Sequence, residues 1–214
     1  RVTELVGPVG QRMWVSTFHS ACVRILRRQG HHLGYPSSFS IYDTDDSRRL
    51  LTTIGKELGL DPRKYRPRGL QHQISALKNE LIDHEGFAAS AETEAQQVLA
   101  DVYRMYSERL QRAGVMDFDD LIGNTVAALT LFDDVAAYYH RLFAHILIDE
   151  YQDTNRAQYE LVRRLVGHGE EGLDPAELCV VGDSDQSIYA FRGADVRNIE
   201  EFEKDFPGAE VVLL

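Results

Sequence analysis

Two adjacent carboxylates, Asp149 and Glu150, close the run His145-Ile146-Leu147-Ile148. A continuous apolar run of this kind fits a strand of a parallel sheet covered on both faces. Open α/β sheets bind ligands at the carboxyl ends of their strands. A carboxylate placed there suits Mg2+, which takes one or two protein carboxylates and fills its shell with water and substrate phosphates. The neighbouring carboxylate suits the activation of an attacking water. The plainer alternative is that the pair caps the next helix, whose positive end favours acids.

A second run, Leu178-Cys179-Val180-Val181, delivers Gly182-Asp183-Ser184-Asp185-Gln186-Ser187-Ile188-Tyr189-Ala190-Phe191-Arg192-Gly193 at its own carboxyl end. Gln186 can donate to a phosphate oxygen or orient a water. Tyr189 and Phe191 beside Arg192 suit single-stranded nucleic acid, where stacking contributes ~1–3 kcal/mol per base. Their alternative is an ordinary core role. Ser16-Thr17-Phe18-His19-Ser20 marks a third strand-to-helix junction. Hydroxyls and backbone N–H groups there can hold a nucleic-acid phosphate, or Thr17 serves only as a cap.

Lesser candidates follow. Arg63-Lys64-Tyr65-Arg66-Pro67-Arg68 sets four cations around one aromatic, as a phosphate contact or a solvated loop. His31-His32 has no Cys or acid at ligand spacing and is not read as a metal site. Asp117, Asp119 and Asp120 form a carboxylate cluster that a helix start explains. Asp133-Asp134 and Glu170-Glu171 read as solvated turns.

These residues need elements to position them. Trp14-Val15-Ser16-Thr17 reads as a buried strand, followed by a helix with Phe18, Cys22, Ile25 and Leu26 on one face. Gly34-Tyr35-Pro36 breaks it. Asp43 or Thr44 caps a helix striped by Leu50, Leu51, Ile54 and Leu58, which Gly59 and Pro62 end. Residues 70–83 form another helix. Residues 92–113 form a long one, with Val98, Val102, Tyr106 and Leu110 four apart and Gly114 as its stop. Asp117 caps a helix through Leu131, and a further helix runs from about Thr154 to Val166. Strands at 145–149, 178–182 and 210–214 join 14–17 in one parallel sheet. Alternating strands and helices argue an α/β doubly wound fold, with residues 44–116 as an all-helical insertion.

The chain has 214 residues, 43% hydrophobic and 27% charged, which excludes a wholly disordered or fibrous protein. No apolar run approaches the ~18 residues of a membrane span, and no leader peptide is visible. Cys22 and Cys179 sit in apolar stretches and read as reduced core thiols of an intracellular protein. The net charge of −11 is unevenly spread. Residues 1–116 carry a net +3 and residues 117–214 a net −14, and no acid occurs from Gln11 to Tyr42. The first half can therefore meet a polyanion despite the acidic total.

Taken in order, "TFHSACVRILRR", "MDFDDLI", "ILIDEYQDTNRAQY" and "VVGDSDQSIYAFRGAD" resemble the motifs of superfamily 1A DNA helicases of the UvrD/PcrA/Rep type, over essentially the whole chain. The resemblance implies an incomplete RecA-like (P-loop NTPase type) motor domain, 1A, at 1–43 and 117–214, with a helical domain 1B at 44–116. It implies Asp149 as the Mg2+ ligand, Glu150 as general base for ATP hydrolysis, and Gln186 as a γ-phosphate contact linked to DNA. Tyr189, Phe191 and Arg192 would contact single-stranded DNA, with Thr17 and His19 on the same track. Phe191 stands where the family often has Trp, which leaves a smaller stacking face. Arg63, Lys64 and Arg66 would lie near duplex DNA, so single/double-strand junctions become the expected substrate. Polarity 3′-to-5′, a repair or replication role with protein partners from those processes, and a cytoplasmic, nucleoid-associated location follow from the family alone.

A P-loop requires GxxxxGK[ST]. Gly55-Lys56 is followed by Glu57, and Gly7-Pro8-Val9-Gly10 lacks the Lys. In the family the P-loop lies upstream of these motifs and the second motor domain lies downstream. With Arg1 rather than Met in first place, the chain reads as an internal piece, inactive on its own. Three rival readings share the residues. One is a RecB/AddA-type helicase-nuclease subunit, and another is a non-catalytic DNA-binding module derived from a motor. The third is a metal-dependent nuclease using Asp149, Glu150 and Asp153.

Overall fold

The computed structural model describes residues 2–167, 174–183 and 208–212, together with 186, 202, 204 and 206. Tyr189, Phe191, Arg192, Glu170-Glu171 and the last two residues of the expected strand at 210–214 lie outside the described residues; 210–212 are not in a strand. Among the described residues the architecture is mixed α/β and mostly helical, with two small parallel sheets.

Helix α1 is Val2–Val6 and α2 is Phe18–Gln29, capped by Thr17, whose side chain accepts from the Ser20 N–H. After strand β1 (Ser40–Ile41) the chain enters the helical middle. There α3 (Thr44–Glu57) starts on a capping box between Asp43 and Asp46. Helix α4 is Pro67–Asn79, α5 is His84–Ser90, and α6 is Glu94–Ala113, closed by Gly114 at φ +63°. Helix α4 starts three residues earlier than the periodicity suggests, because Pro67 takes the first helical turn, where no N–H is needed, and it ends at Asn79 rather than 83, with Leu81 at φ 56° beyond it. Leu51, Ile54, Leu70, Ile74, Leu99, Val102, Tyr103, Tyr106 and Leu110 bury one core between α3, α4 and α6.

Strand β2 (Val115–Met116) pairs in parallel with β1, so the stretch 44–116 is not all-helical as expected but ends in a short strand. This strand is also the seam between two cores. Successive side chains of a strand point to opposite faces, so Val115 joins the α3–α6 core while Met116 joins another. That other core unites Cys22, Ile25 and Leu26 of α2 with Leu121, Ile122, Val126 and Leu129 of α7 (Phe118–Leu131). Tyr139 of α8 (Asp133–Leu142) and Leu161 of α9 (Arg156–Val166) complete it.

Strands β3 (His145–Ile148) and β4 (Glu177–Val180) pair in parallel, Ile146 opposite Leu178 and Ile148 opposite Val180. Ile146 packs with Val162 and Val166 of α9.

Several expectations are corrected. Residues 14–17 form no strand. Trp14 gains its burial from side chains instead: Phe143 and Tyr139 meet its ring edge-on at 5.1 and 6.4 Å, and the Arg24 guanidinium lies 3.8 Å over its face. The described β3–β4 sheet is covered on one face rather than two. Leu147 is 70% exposed, and Cys179, on the same face, is exposed rather than a core thiol. Cys22 is buried as expected, and burial pushes its thiol up to about 11. Asp133 and Asp134 are solvated as expected but form the first turn of α8 rather than a turn between elements.

Candidate active site

The site grows from the β3–β4 pairing. The Val181 N–H donates to Ile148 O (2.8 Å), and the Tyr151 N–H donates to Val181 O (2.9 Å), so the ladder runs past both strands. Residues 149–153 and the pair Gly182-Asp183 therefore leave the same sheet end side by side.

Asp149 and Glu150 are both exposed. Glu150 sits at φ 52°, ψ 43°, left-handed for a residue with a Cβ, a conformation that costs about 1–3 kcal/mol and persists only where surroundings impose it. Asp149 Oδ1 accepts the Glu150 N–H at 3.0 Å. The Asp153 N–H donates to Glu150 O at 2.9 Å, closing a 3₁₀ turn over Tyr151–Asp153. Helix α9 then starts on a capping box between Asn155 and Gln158. The plain capping role proposed for Asp149 and Glu150 thus falls to Asn155.

The two segments are joined by side chains. Gln152 Nε2 donates to Glu150 Oε2 at 2.7 Å, and Gln152 Oε1 accepts the Asp183 N–H at 3.0 Å. Gln186 Nε2 donates to Asp183 Oδ2 at 2.6 Å. A hydrogen-bonded chain therefore runs Glu150–Gln152–Asp183–Gln186 and brings three expected site residues, Asp149, Glu150 and Gln186, to one place. Gln152 and Gly182 were not singled out by sequence reasoning. A buried glutamine in a polar motif has no spacing signal, and the need for glycine at 182 is visible only in three dimensions.

Oxygen donors at this strand end fit Mg2+. Among the described residues no group of three or more His, Cys, Asp or Glu converges to hold a metal. Mg2+ needs no such cage, since it shares its shell with phosphates and water.

Thr17 is exposed as the cap of α2, and His19 is the second residue of that helix. Burial lowers the His19 pKa, which favours the neutral imidazole. Its ring meets Phe118 edge-on at 5.8 Å. Phe118, at the first position of α7, is 48% exposed, an aromatic face that sequence reasoning passed over. Arg63, Lys64 and Arg66 stand exposed on the loop into α4.

Asp117 and Asp120 do something else. Lys78 Nζ, from α4, lies 2.7 Å from Asp117 Oδ2 and 2.7 Å from Asp120 Oδ1. The Tyr106 hydroxyl lies 2.9 Å from Asp117 Oδ2 and 2.9 Å from Ser47 Oγ. Burial opposes the Lys78 charge, but the two carboxylates outweigh it and hold the ammonium well above its ordinary range. A further link, Asn155 Nδ2 to Asn79 Oδ1 at 2.9 Å, joins the cap of α9 to the end of α4.

The profile of the UvrD/REP helicase N-terminal domain matches residues 1–207. The chain is 58% identical over 219 residues to ATP-dependent DNA helicase UvrD1 of Mycobacterium tuberculosis (strain ATCC 25618 / H37Rv), covering 100% of this chain and 28% of that protein. It is 48% identical over 214 residues to ATP-dependent DNA helicase PcrA of Bacillus subtilis (strain 168), covering 100% of this chain and 28% of that protein. The chain thus spans about 28% of the length of these curated relatives.

Proposed function

The chain belongs to the UvrD/REP helicase family, and from that premise we propose that it carries the hydrolytic half of an ATP-driven DNA translocase. The observation that carries this reading is the parallel β3–β4 pair, whose carboxyl ends deliver Asp149, Glu150 and Gln186 into one hydrogen-bonded cluster. Asp149 is the Mg2+ ligand in this proposal. The bound ion would neutralise charge on the β- and γ-phosphates of ATP. Glu150 takes a proton from the attacking water, and Gln186 contacts the γ-phosphate. Residues 1–43 and 117–214 belong to a RecA-like motor domain 1A, and 44–116 to a helical domain 1B. The separate α3–α6 core supports that division.

Thr17, His19 and the exposed Phe118 ring contact single-stranded DNA in this proposal, and so, from the family motif, do Tyr189, Phe191 and Arg192. A neutral His19 does so by stacking and hydrogen bonding rather than by charge. Arg63, Lys64 and Arg66 meet the phosphates of the duplex at a single/double-strand junction. The full-length protein moves 3′-to-5′ on single-stranded DNA in repair or replication, and this segment by itself does not hydrolyse ATP. Glu150→Gln in the full-length protein tests the assignment: ATP turnover is expected to fall ~10²–10⁴-fold with nucleotide binding kept, the span of general acid–base catalysis. Turnover within about threefold of wild type removes Glu150 from the role.

A further inference from the structure

Gln152 is 1% exposed, yet both ends of its amide are engaged. Its orientation is fixed by its neighbours. The Asp183 N–H can only donate, so it takes Oε1 at 3.0 Å. The Nε2 end then meets Glu150 Oε2 at 2.7 Å, and an ionised carboxylate can only accept. Gly182 closes the slot: a Cβ there would stand 2.8 Å from Gln152 Oε1 and 3.2 Å from its backbone nitrogen. A side chain at 182 would therefore drive the Gln152 amide out of place, and Glu150 holds a left-handed backbone two residues before it.

We infer that Gln152 is a positioning residue that aims the Glu150 carboxylate, an inference that rests on the reading of Glu150 as the base. Glu150 is exposed and its side chain has several rotamers, so without a partner its carboxylate would sample many directions. Gln152 occupies Oε2 and leaves Oε1 to take the proton. In the step so arranged, the water oxygen bonds to the γ-phosphorus as the bond to the ADP oxygen breaks, and the water proton passes to Oε1. Through Oε1 of its own amide, Gln152 also ties that aim to the Asp183–Gln186 segment. Catalytic groups must be held close to productive geometry by partners that are themselves locked.

The test is a double-mutant cycle in the full-length protein, reading kcat and KM for ATP at saturating single-stranded DNA, with melting curves on every variant. Gln152→Met fills the slot without a donor. Its kcat is expected to fall ~10–100-fold, the scale of a misplaced catalytic group, with KM for ATP within about threefold. In a Glu150→Gln background the same change is expected to cost no more than about threefold, because no base remains to be aimed. An equal loss in both backgrounds, or an unchanged kcat, overturns the inference.

Gln152→Glu is the second variant, and it decides the matter if the Met variant does not fold. It keeps the length and the acceptor for the Asp183 N–H but, ionised, offers Glu150 no proton. Its kcat should fall as far as that of Gln152→Met. A kcat near wild type would make Gln152 a strut between two loops and end the proposal. If Glu150→Gln alone keeps wild-type turnover, the base assignment fails and takes this inference with it. If Glu150→Gln is inactive and the Gln152 losses simply multiply with it, the base assignment stands and only the inference falls.

Discussion

Asp117 and Asp120 lie against the Lys78 ammonium where α4 meets α7, whereas Asp149 and Glu150 stand exposed where β3 ends. All four are carboxylates, and each pair stands at the start of a helical segment. Their surroundings differ in every respect that decides what a carboxylate does. The first pair has a cation at 2.7 Å, a tyrosine hydroxyl, and a capping box with helical geometry on α7. The second pair has an amide as partner and a left-handed backbone at Glu150. A charge that is buried and paired is committed to holding elements together. A charge left in solvent, on a backbone kept from relaxing, remains available to a ligand. Strain and exposure at 149–150 are offset by a well-made core at α3–α6, the usual division between scaffold and site.

The comparison can be broken from either side. The largest stability effect belongs to Lys78→Met, which leaves two buried carboxylates without their cation. It should cost about 3–5 kcal/mol of folding stability, read by denaturant unfolding. A loss under about 1 kcal/mol, the worth of a surface pair, would make the α4–α7 cluster an incidental ion pair.

A smaller effect belongs to Asp119, the half-buried member of the same trio. Burial, and then the Asp117 charge, push its carboxyl up to about 6. The folded protein therefore holds this proton more tightly than the unfolded chain does. That contribution is full below an ordinary aspartate pKa of about 4 and is lost as pH rises through 6. Asp119→Asn should raise the melting temperature at pH 7, with the gain vanishing toward pH 4. An equal shift at both pH values would mean that Asp119 acts by packing rather than by charge.

What the sequence discloses follows how local its cause is. Asp43 and Asp117 as caps, Gly59 and Gly114 as stops, and the Val102–Tyr106–Leu110 stripe act within a few residues, and each was legible. The strand ends bearing Asp149 and Gln186 were legible because apolar runs deliver them. Helix α5 escaped because it buries no side chain and so leaves no apolar stripe. The strand expected at 14–17 fails for a different reason: an apolar segment signals burial, not the neighbour that provides it, and here that neighbour is the aromatic edge of α8. Lys78 is one cation among many in sequence, with its partners 39 and 42 residues away. Gln152 gains its meaning only from Asp183, 31 residues on.

The central claim is that like carboxylates carry different duties, and a crossed pair of charge-neutral substitutions tests it. Glu150→Gln and Asp117→Asn are compared in the full-length protein, with ATP turnover and the melting temperature read on both. Glu150→Gln should lose ~10²–10⁴ in turnover with melting unchanged. Asp117→Asn should melt several degrees lower, with turnover per folded molecule near wild type. If Glu150→Gln keeps its turnover, or Asp117→Asn loses turnover with no change in melting, the division of labour described above is wrong.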